Sequence, residues 1–249
     1  MPKSIKIAVI GESCIDKFYY CETNRLSPEA PVPVLVPQWC EENEGMAGNV
    51  VRNIKALDSV ASISLTSNTI KPVKSRYIDE KSNHMFLRVD DDVEIPNNIV
   101  CDKFLAEHLQ NQDIVIVSDY NKGFLSNEDL EFIGIHSPIS ILDSKRILSK
   151  DITEKFTWIK LNKQEAHNNS HIMDNDNVII TLGSQGAMWK NKLYPSQKPI
   201  ETIDVSGAGD TFTASFIYKY FLSNNFKRSI TFANEQAGKV VQKRGVAIP

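Results

Sequence analysis

Short, compact apolar runs alternate with stretches of helical periodicity along this chain. The runs Ile5 to Ile10, Ile114 to Val117, Ile139 to Leu142, Trp158 to Leu161 and Val178 to Leu182 are continuous apolar blocks, not a clean in-out alternation. Strands buried on both faces read this way, as in a parallel sheet covered by helices. Between and after them, helices are predicted over Ala47 to Leu57, Cys101 to Leu109, Asn127 to Gly134, Ala208 to Leu222 and Lys227 to Lys243. The expected fold is therefore α/β, with a mostly parallel central sheet and helices on both faces.

The residues that follow these strands are polar: Gly11-Glu12, Ser118-Asp119, Asp143-Ser144-Lys145, Asn162 and Gly183. Open α/β sheets bind ligands just beyond the carboxyl ends of their strands, so these residues are expected to line one crevice. Two segments break the alternation, Pro31-Val32-Pro33-Val34-Leu35-Val36-Pro37 and Arg76 to Asp90. Prolines at every second position suit an edge strand or an extended flap. The pair is read as a small β-lid over the crevice, with lid strands at about 17–44 and 74–92.

With 249 residues the chain can bury one large core, and a single domain over 1–249 is expected. A net charge of -3 gives no basic footprint for nucleic acid. Met1-Pro2-Lys3-Ser4 runs into the first strand without an apolar signal segment, and no stretch has the length of a membrane span. A cytoplasmic protein without nucleic-acid or membrane partners is the expectation. Cys14, Cys21, Cys40 and Cys101 form no CxxC pair and read as reduced thiols.

Candidate chemistry is densest near the C-terminus, at Asp204-Val205-Ser206-Gly207-Ala208-Gly209-Asp210-Thr211. Phe212, Phe216, Ile217 and Tyr220 then fall on one helical face, so a carboxylate and a small-residue turn stand at a helix N-terminus. First-turn N–H groups lack intrahelical partners and, with the macrodipole, form an anion site. Gly207, Ala208 and Gly209 admit a phosphate close to those donors. Asp210 beside them makes sense as a base that takes a proton from a hydroxyl attacking that phosphate. Phosphoryl transfer to an alcohol is suggested; a capped helix after a glycine turn is the reading these residues alone leave open. His167 and His171 lie four apart with no third ligand nearby and are expected as exposed helix-end histidines.

Gly45-Met46-Ala47-Gly48-Asn49 early, Asn162-Lys163-Gln164-Glu165 in the middle and the glycine turn last give the chain its resemblance to the ribokinase-like (PfkB) carbohydrate kinases, from Ile7 to about Val246. Thr23-Asn24-Arg25-Leu26-Ser27-Pro28-Glu29-Ala30-Pro31-Val32-Pro33-Val34 looks like the T-S-R-I-S-P-E-A-P-V-P-V segment of heptose 7-phosphate kinases, the kinase half of bifunctional ADP-heptose synthesis enzymes. Ser118-Asp119-Tyr120-Asn121-Lys122-Gly123, Leu142-Asp143-Ser144-Lys145 and Phe232-Ala233-Asn234-Glu235-Gln236-Ala237-Gly238 are similar to their S-D-Y-x-K-G, D-P-K and F-A-N-x-x-A-G segments. The resemblance implies a ribokinase-like three-layer sandwich. It also implies an ATP-dependent, Mg²⁺-assisted kinase of O1 of D-glycero-D-manno-heptose 7-phosphate, a lipopolysaccharide precursor, and a homodimer formed through the lids.

By that resemblance Asp210 is the catalytic base, and the amides of Gly207, Ala208, Gly209 and Asp210 form the hole for the transferring phosphoryl group. Asp16, Gly45 and Asn49 hold the sugar, while Arg88 and Lys122, with Arg25 and Arg76, stand around the sugar end, one or two of the four contacting its second phosphate; a surface ion pair is the alternative reading for each. Lys145, Asn162, Thr181, Gly183, Gly186 and Asn234 face the nucleotide, and Asn162 and Glu165 organise Mg²⁺ through water. Read without the family, Asn162 and Glu165 are a helix capping box.

The sequence departs from the family at three places. Glu12 replaces the usual Asp of the first G-D, Met46 replaces a second small residue, and Thr66 to Ser75 is too short for the G-x-D-x-x-G stretch and its helix. Part of the sheet edge is expected to be deleted. Another sugar or sugar phosphate as substrate, or a binding paralogue without turnover, therefore stays open. No G-x-G-x-x-G follows the first strand, which weakens a dinucleotide-binding oxidoreductase.

Overall fold

The structure, a computed structural model, describes residues 4–91, 93–197 and 202–249. Met1 to Lys3, Asp92 at the end of the expected lid segment, and residues 198–201 lie outside the described residues. Among the described residues eight strands form the central sheet: β1 (Lys6–Gly11), β4 (Ser62–Thr66), β7 (Ile114–Asp119), β8 (Ser140–Ser144), β9 (Trp158–Asn162), β10 (Val178–Thr181), β11 (Ala187–Trp189) and β12 (Lys192–Tyr194). Their order is β12-β11-β10-β9-β8-β7-β1-β4; every pairing from β4 to β10 is parallel, and β11 and β12 add an antiparallel hairpin at the far edge.

Successive side chains of a strand point to opposite faces, and here both faces are covered. Ile7 and Val9 of β1 pack with residues of α1 (Ala47–Leu57), α6 (Ala208–Ser223) and α7 (Phe226–Val240). Ala8 and Ile10 pack on the other side with α2 (Lys103–Gln110), α3 (Asn127–His136), α4 (Lys150–Thr153) and α5 (Lys163–Asn168). Each fully buried Ile, Leu or Phe contributes roughly 1.5–3 kcal/mol. Trp158 of β9 anchors α6 from below, its ring centroid 5.4 Å from Phe216, 5.2 Å from Tyr220 and 5.0 Å from Phe226. This aromatic cluster fixes the height of α6 on the sheet and hence where its N-terminus meets the strand ends.

A second sheet, β3-β2-β5-β6, forms the lid from β2 (Ser13–Glu22), β3 (Val36–Met46), β5 (Val73–Asp79) and β6 (Met85–Asp91). In β2 the side chains of Asp16, Phe18 and Tyr20 are buried on the inner face, in register with Lys74, Arg76 and Ile78 of β5. Only the end of the proline-rich segment, Val36-Pro37, joins a lid strand, the edge strand β3. Residues 23–35 are irregular apart from a Leu26–Pro33 bridge, and the strand begins at Val36, because alternate prolines remove the N–H donors a ladder needs.

The sheet ends at β4, and residues 67–72 lead straight from it into the lid. Buried Asn68 ties this short link down, accepting from the Ser13 N–H at 2.7 Å and donating to the Ser13 carbonyl at 3.0 Å. The last helix ends at Val240 rather than Lys243. Among the described residues no helix is long and apolar enough to cross a membrane.

Candidate active site

The chain enters α6 through Gly207, whose φ of 77° is left-handed. A Cβ at this position would come 2.7 Å from Asn49 Nδ2 and 3.0 Å from Val246 Cγ1, so both backbone conformation and close approach require glycine. Asp210, one turn on, is 6% exposed. Its Oδ2 accepts from Asn49 Nδ2 at 2.9 Å and its Oδ1 from Tyr120 Oη at 3.1 Å. Burial pushes its pKa up from 3.8 to about 6; Asp143 pushes the same way, while Asn49, Lys160 and Tyr120 oppose. A carboxylate of this kind can accept a proton at neutral pH and hold it.

Two cavities meet at this side chain. The larger, of about 610 Å³, and the smaller, of about 220 Å³, share Tyr120, Lys145, Gly207 and Asp210 in their linings. Ala208, Gly209, Thr181, Gly183, Gly186 and Asn234 line the larger one, and the Asn234 amide donates to the Tyr194 carbonyl at 2.9 Å. Asn162 and Glu165 also line it, and they form the capping box of α5. The Glu165 N–H donates to Asn162 Oδ1 at 2.9 Å, and the Asn162 N–H to Glu165 Oε2 at 2.6 Å. Burial raises the Glu165 pKa.

Among the described residues no group of three or more His, Cys, Asp or Glu could hold a metal by itself, and His167 and His171 are both exposed. The donor set fits a Mg²⁺ carried by nucleotide phosphates and its own waters, with Glu165 as an outer-sphere acceptor.

The smaller cavity lies under the lid and is lined by Asp16, Lys74, Arg76 and Arg88. Asp16 does not present two open oxygens: its Oδ1 is paired with Arg76 Nη1 at 2.6 Å in a nearly buried ion pair. Gly45 makes room for this carboxylate, since a Cβ there would lie 2.0 Å from Asp16 Oδ2. Asn49 is fully buried and serves Asp210. Arg88 reaches the cavity while bound bidentately to Asp90 at 2.6 and 2.7 Å. Lys122 is not part of either lining, and its N–H donates to Glu12 Oε1 at 2.9 Å. Arg25 is exposed in the irregular segment away from both linings.

Comparison with known proteins follows the same lines. The pfkB family carbohydrate kinase pattern matches residues 150–249, which carry Asn162, Glu165 and the glycine turn. The chain is 30% identical over 300 aligned positions to the bifunctional protein HldE of Helicobacter pylori strain J99, covering 98% of this chain and 64% of that protein. It is 30% identical to the HldE of Nitratiruptor sp. over 97% of this chain and 62% of that protein. Over residues 150–249 the likeness is to the pfkB family of carbohydrate kinases.

It spans just under two thirds of these curated relatives, 64% of the first. The fold agrees: ribokinases from Thermotoga maritima, with a TM-score of 0.71 at 16% identity, and from Arabidopsis thaliana, with 0.69 at 13%, superpose over 97% and 98% of this chain and 94% of their own.

Three features of this site escaped the sequence reading. Glu12, fully buried, accepts the backbone N–H groups of Tyr120, Lys122 and Phe124 at 2.8, 2.9 and 3.4 Å and so shapes the loop that carries Tyr120. Lys160 Nζ, 5% exposed as a residue, holds both oxygens of Asp143 at 3.0 Å and would lie 3.4 Å from a Cβ on Gly209. Burial pulls the Lys160 pKa down, but the neighbouring carboxylates, led by Asp143, outweigh it and the net shift is upward. A charged residue inside the apolar run Trp158-Ile159-Lys160-Leu161 was the available signal. The third feature is the contact of Tyr120 with Asp210, which no local pattern reveals.

Proposed function

We propose that this protein transfers the γ-phosphoryl group of ATP to O1 of D-glycero-D-manno-heptose 7-phosphate. The observation that carries the reading is the meeting of the two cavities at one buried carboxylate, Asp210, on the first turn of α6. The donor phosphates would lie over the Gly207–Asp210 amides, with Lys160 behind them. The sugar would lie in the smaller cavity with its hydroxyl toward Asp210. The hydroxyl proton passes to the Asp210 carboxylate, the oxygen forms a bond to the γ-phosphorus, and the bond from phosphorus to the bridging oxygen breaks, leaving its electron pair on ADP. General-base assistance contributes roughly 10²–10⁴-fold, and fixed donors aimed at the developing charge are usually the larger part. Mg²⁺ bound with the nucleotide would neutralise phosphate charge.

The charges under the lid favour a phosphorylated acceptor. Lys74, Arg76, Arg88 and Lys145 face the smaller cavity against the carboxylates of Asp16 and Asp210. With Arg76 held by Asp16 and Arg88 by Asp90, Lys74 and Lys145 are the cations left to meet an anion at the far end of the sugar. The heptose assignment rests on the heptose-kinase-like segments and on the curated relatives. Met46 favours a second reading within the same chemistry: a non-glycine residue at φ 57°, it projects into the cavity wall and narrows the choice of sugar.

The test is ADP release from ATP and Mg²⁺ with heptose 7-phosphate, set beside a thermal-shift panel of sugars and sugar phosphates. Turnover above an Asp210→Asn control supports the proposal. Stabilisation by an unphosphorylated sugar alone removes the heptose phosphate assignment.

A further inference from the structure

Tyr120 stands where the two cavities join and is part of both linings. Its hydroxyl donates to Asp210 Oδ1 at 3.1 Å, while Asn49 occupies Oδ2. Both oxygens of the base therefore have partners before any substrate arrives. Lys145 Nζ lies 4.1 Å from the centroid of the Tyr120 ring and Lys74 Nζ 5.4 Å, so two cations brace it. The loop beneath is fixed by three N–H groups on the buried Glu12 carboxylate, one of them from Tyr120 itself.

This arrangement solves a problem that any transferase of this type faces. A phosphate donor bound beside an ionised carboxylate is exposed to hydrolysis whenever a water can reach the base. A hydroxyl held on Oδ1 denies that water its position. The acceptor hydroxyl of a sugar, brought in with the binding energy of the rest of the molecule, can displace it.

Resting on the reading of Asp210 as the base, we propose that Tyr120 is a positioning residue that occupies the acceptor's place on Asp210 in the absence of sugar, and so suppresses transfer of the phosphoryl group to water. In the suppressed side reaction a water would lose its proton to Asp210, its oxygen would bond to the γ-phosphorus, and ADP would depart with the bridging oxygen. Inorganic phosphate would be the product. The groups facing Asp210 are Cys14 from β2, Asn49 from α1, Tyr120 and Lys145 from the loops after β7 and β8, Asp143 from β8 and Lys160 from β9. Of these, Tyr120 and Asn49 hydrogen-bond to the carboxylate, and Tyr120 favours its ionised form.

The experiment uses the full chain, wild type and Tyr120→Phe, with ATP and Mg²⁺. Phosphate release without sugar and sugar phosphorylation are measured separately, each across pH 5 to 9. The variant is expected to release phosphate without sugar roughly tenfold faster than wild type. Its acid limb should move up by about one to two pH units, the value of one hydrogen bond to a charged group. Sugar-independent hydrolysis unchanged in the variant, while wild type phosphorylates sugar, overturns the proposal and leaves the kinase reading intact.

A wild type that phosphorylates no sugar phosphate sinks the kinase reading instead. Titration of the Asp210 carboxyl by carbon NMR in the ligand-free protein, assigned with Asp210→Asn, then still decides on the contact. An upward shift in Tyr120→Phe supports the contact with Asp210, and no shift overturns it.

Discussion

Replacing Asp210 by Asn tests both halves of the account at once, because the base of a kinase should be a burden to the fold. The buried carboxyl titrates at about 6 rather than 3.8, a difference of roughly two pH units, or about 3 kcal/mol at 1.36 kcal/mol per unit. The sign follows from linkage: the folded state holds this proton more tightly than the unfolded chain does. The favourable contribution is therefore complete below pH 3.8, falls as pH rises through about 6, and is gone above it. The substituted amide carries no charge at any pH and escapes that loss, but its nitrogen cannot accept a hydrogen bond, so it cannot satisfy both Asn49 and Tyr120, which costs about 1 kcal/mol.

The expected balance is a variant about 2 kcal/mol more stable than wild type at pH 8 and about 1 kcal/mol less stable near pH 4. At the size of this chain, 2 kcal/mol corresponds to roughly 4–8 °C in Tm. Thermal unfolding from pH 4 to 8, with ADP release measured on the same samples, checks it. Turnover should fall by about 10²–10⁴-fold. A stability difference of one sign and size at every pH would refute the claim that an ionised carboxylate is buried here.

Lys160→Met should leave Asp143 buried beside Thr213 without its cation and cost about 3–5 kcal/mol in urea unfolding, together with most of the turnover. Loss of turnover with stability unchanged would mean that the pair has no role in the fold. Glu12→Ala removes the acceptor of three N–H groups and should cost on the order of 3 kcal/mol, with kcat falling as the Tyr120 loop loosens. Met46→Gly releases backbone strain of about 1–3 kcal/mol and gives up burial of similar size. Its stability should change little while KM for the acceptor rises several-fold; a change in kcat alone would remove Met46 from the sugar wall.

The strands of the central sheet were legible because burial on both faces writes a continuous apolar run, and β1 and β7 to β10 sit where those runs stand. The β11–β12 hairpin was not, since strands of three residues are shorter than any periodic pattern. The lid was half legible. Its inner face depends on buried Asp16 and Arg76 and half-buried Lys74, polar residues brought together only because strands distant in sequence pair there. At the site, the glycine turn could be read because helix termini bind anions locally. The contacts of Asn49 and Tyr120 with Asp210 join residues 161 and 90 positions apart, and no local signal encodes them.

The account turns on where the phosphoryl group goes. Phosphorus NMR of a reaction containing the full chain, ATP, Mg²⁺ and heptose 7-phosphate reads this directly. The expected spectrum gains ADP and a second sugar phosphomonoester whose phosphorus couples to the anomeric proton, and both are missing with Asp210→Asn. ADP appearing with inorganic phosphate alone, or no change in the ATP signals, would contradict it.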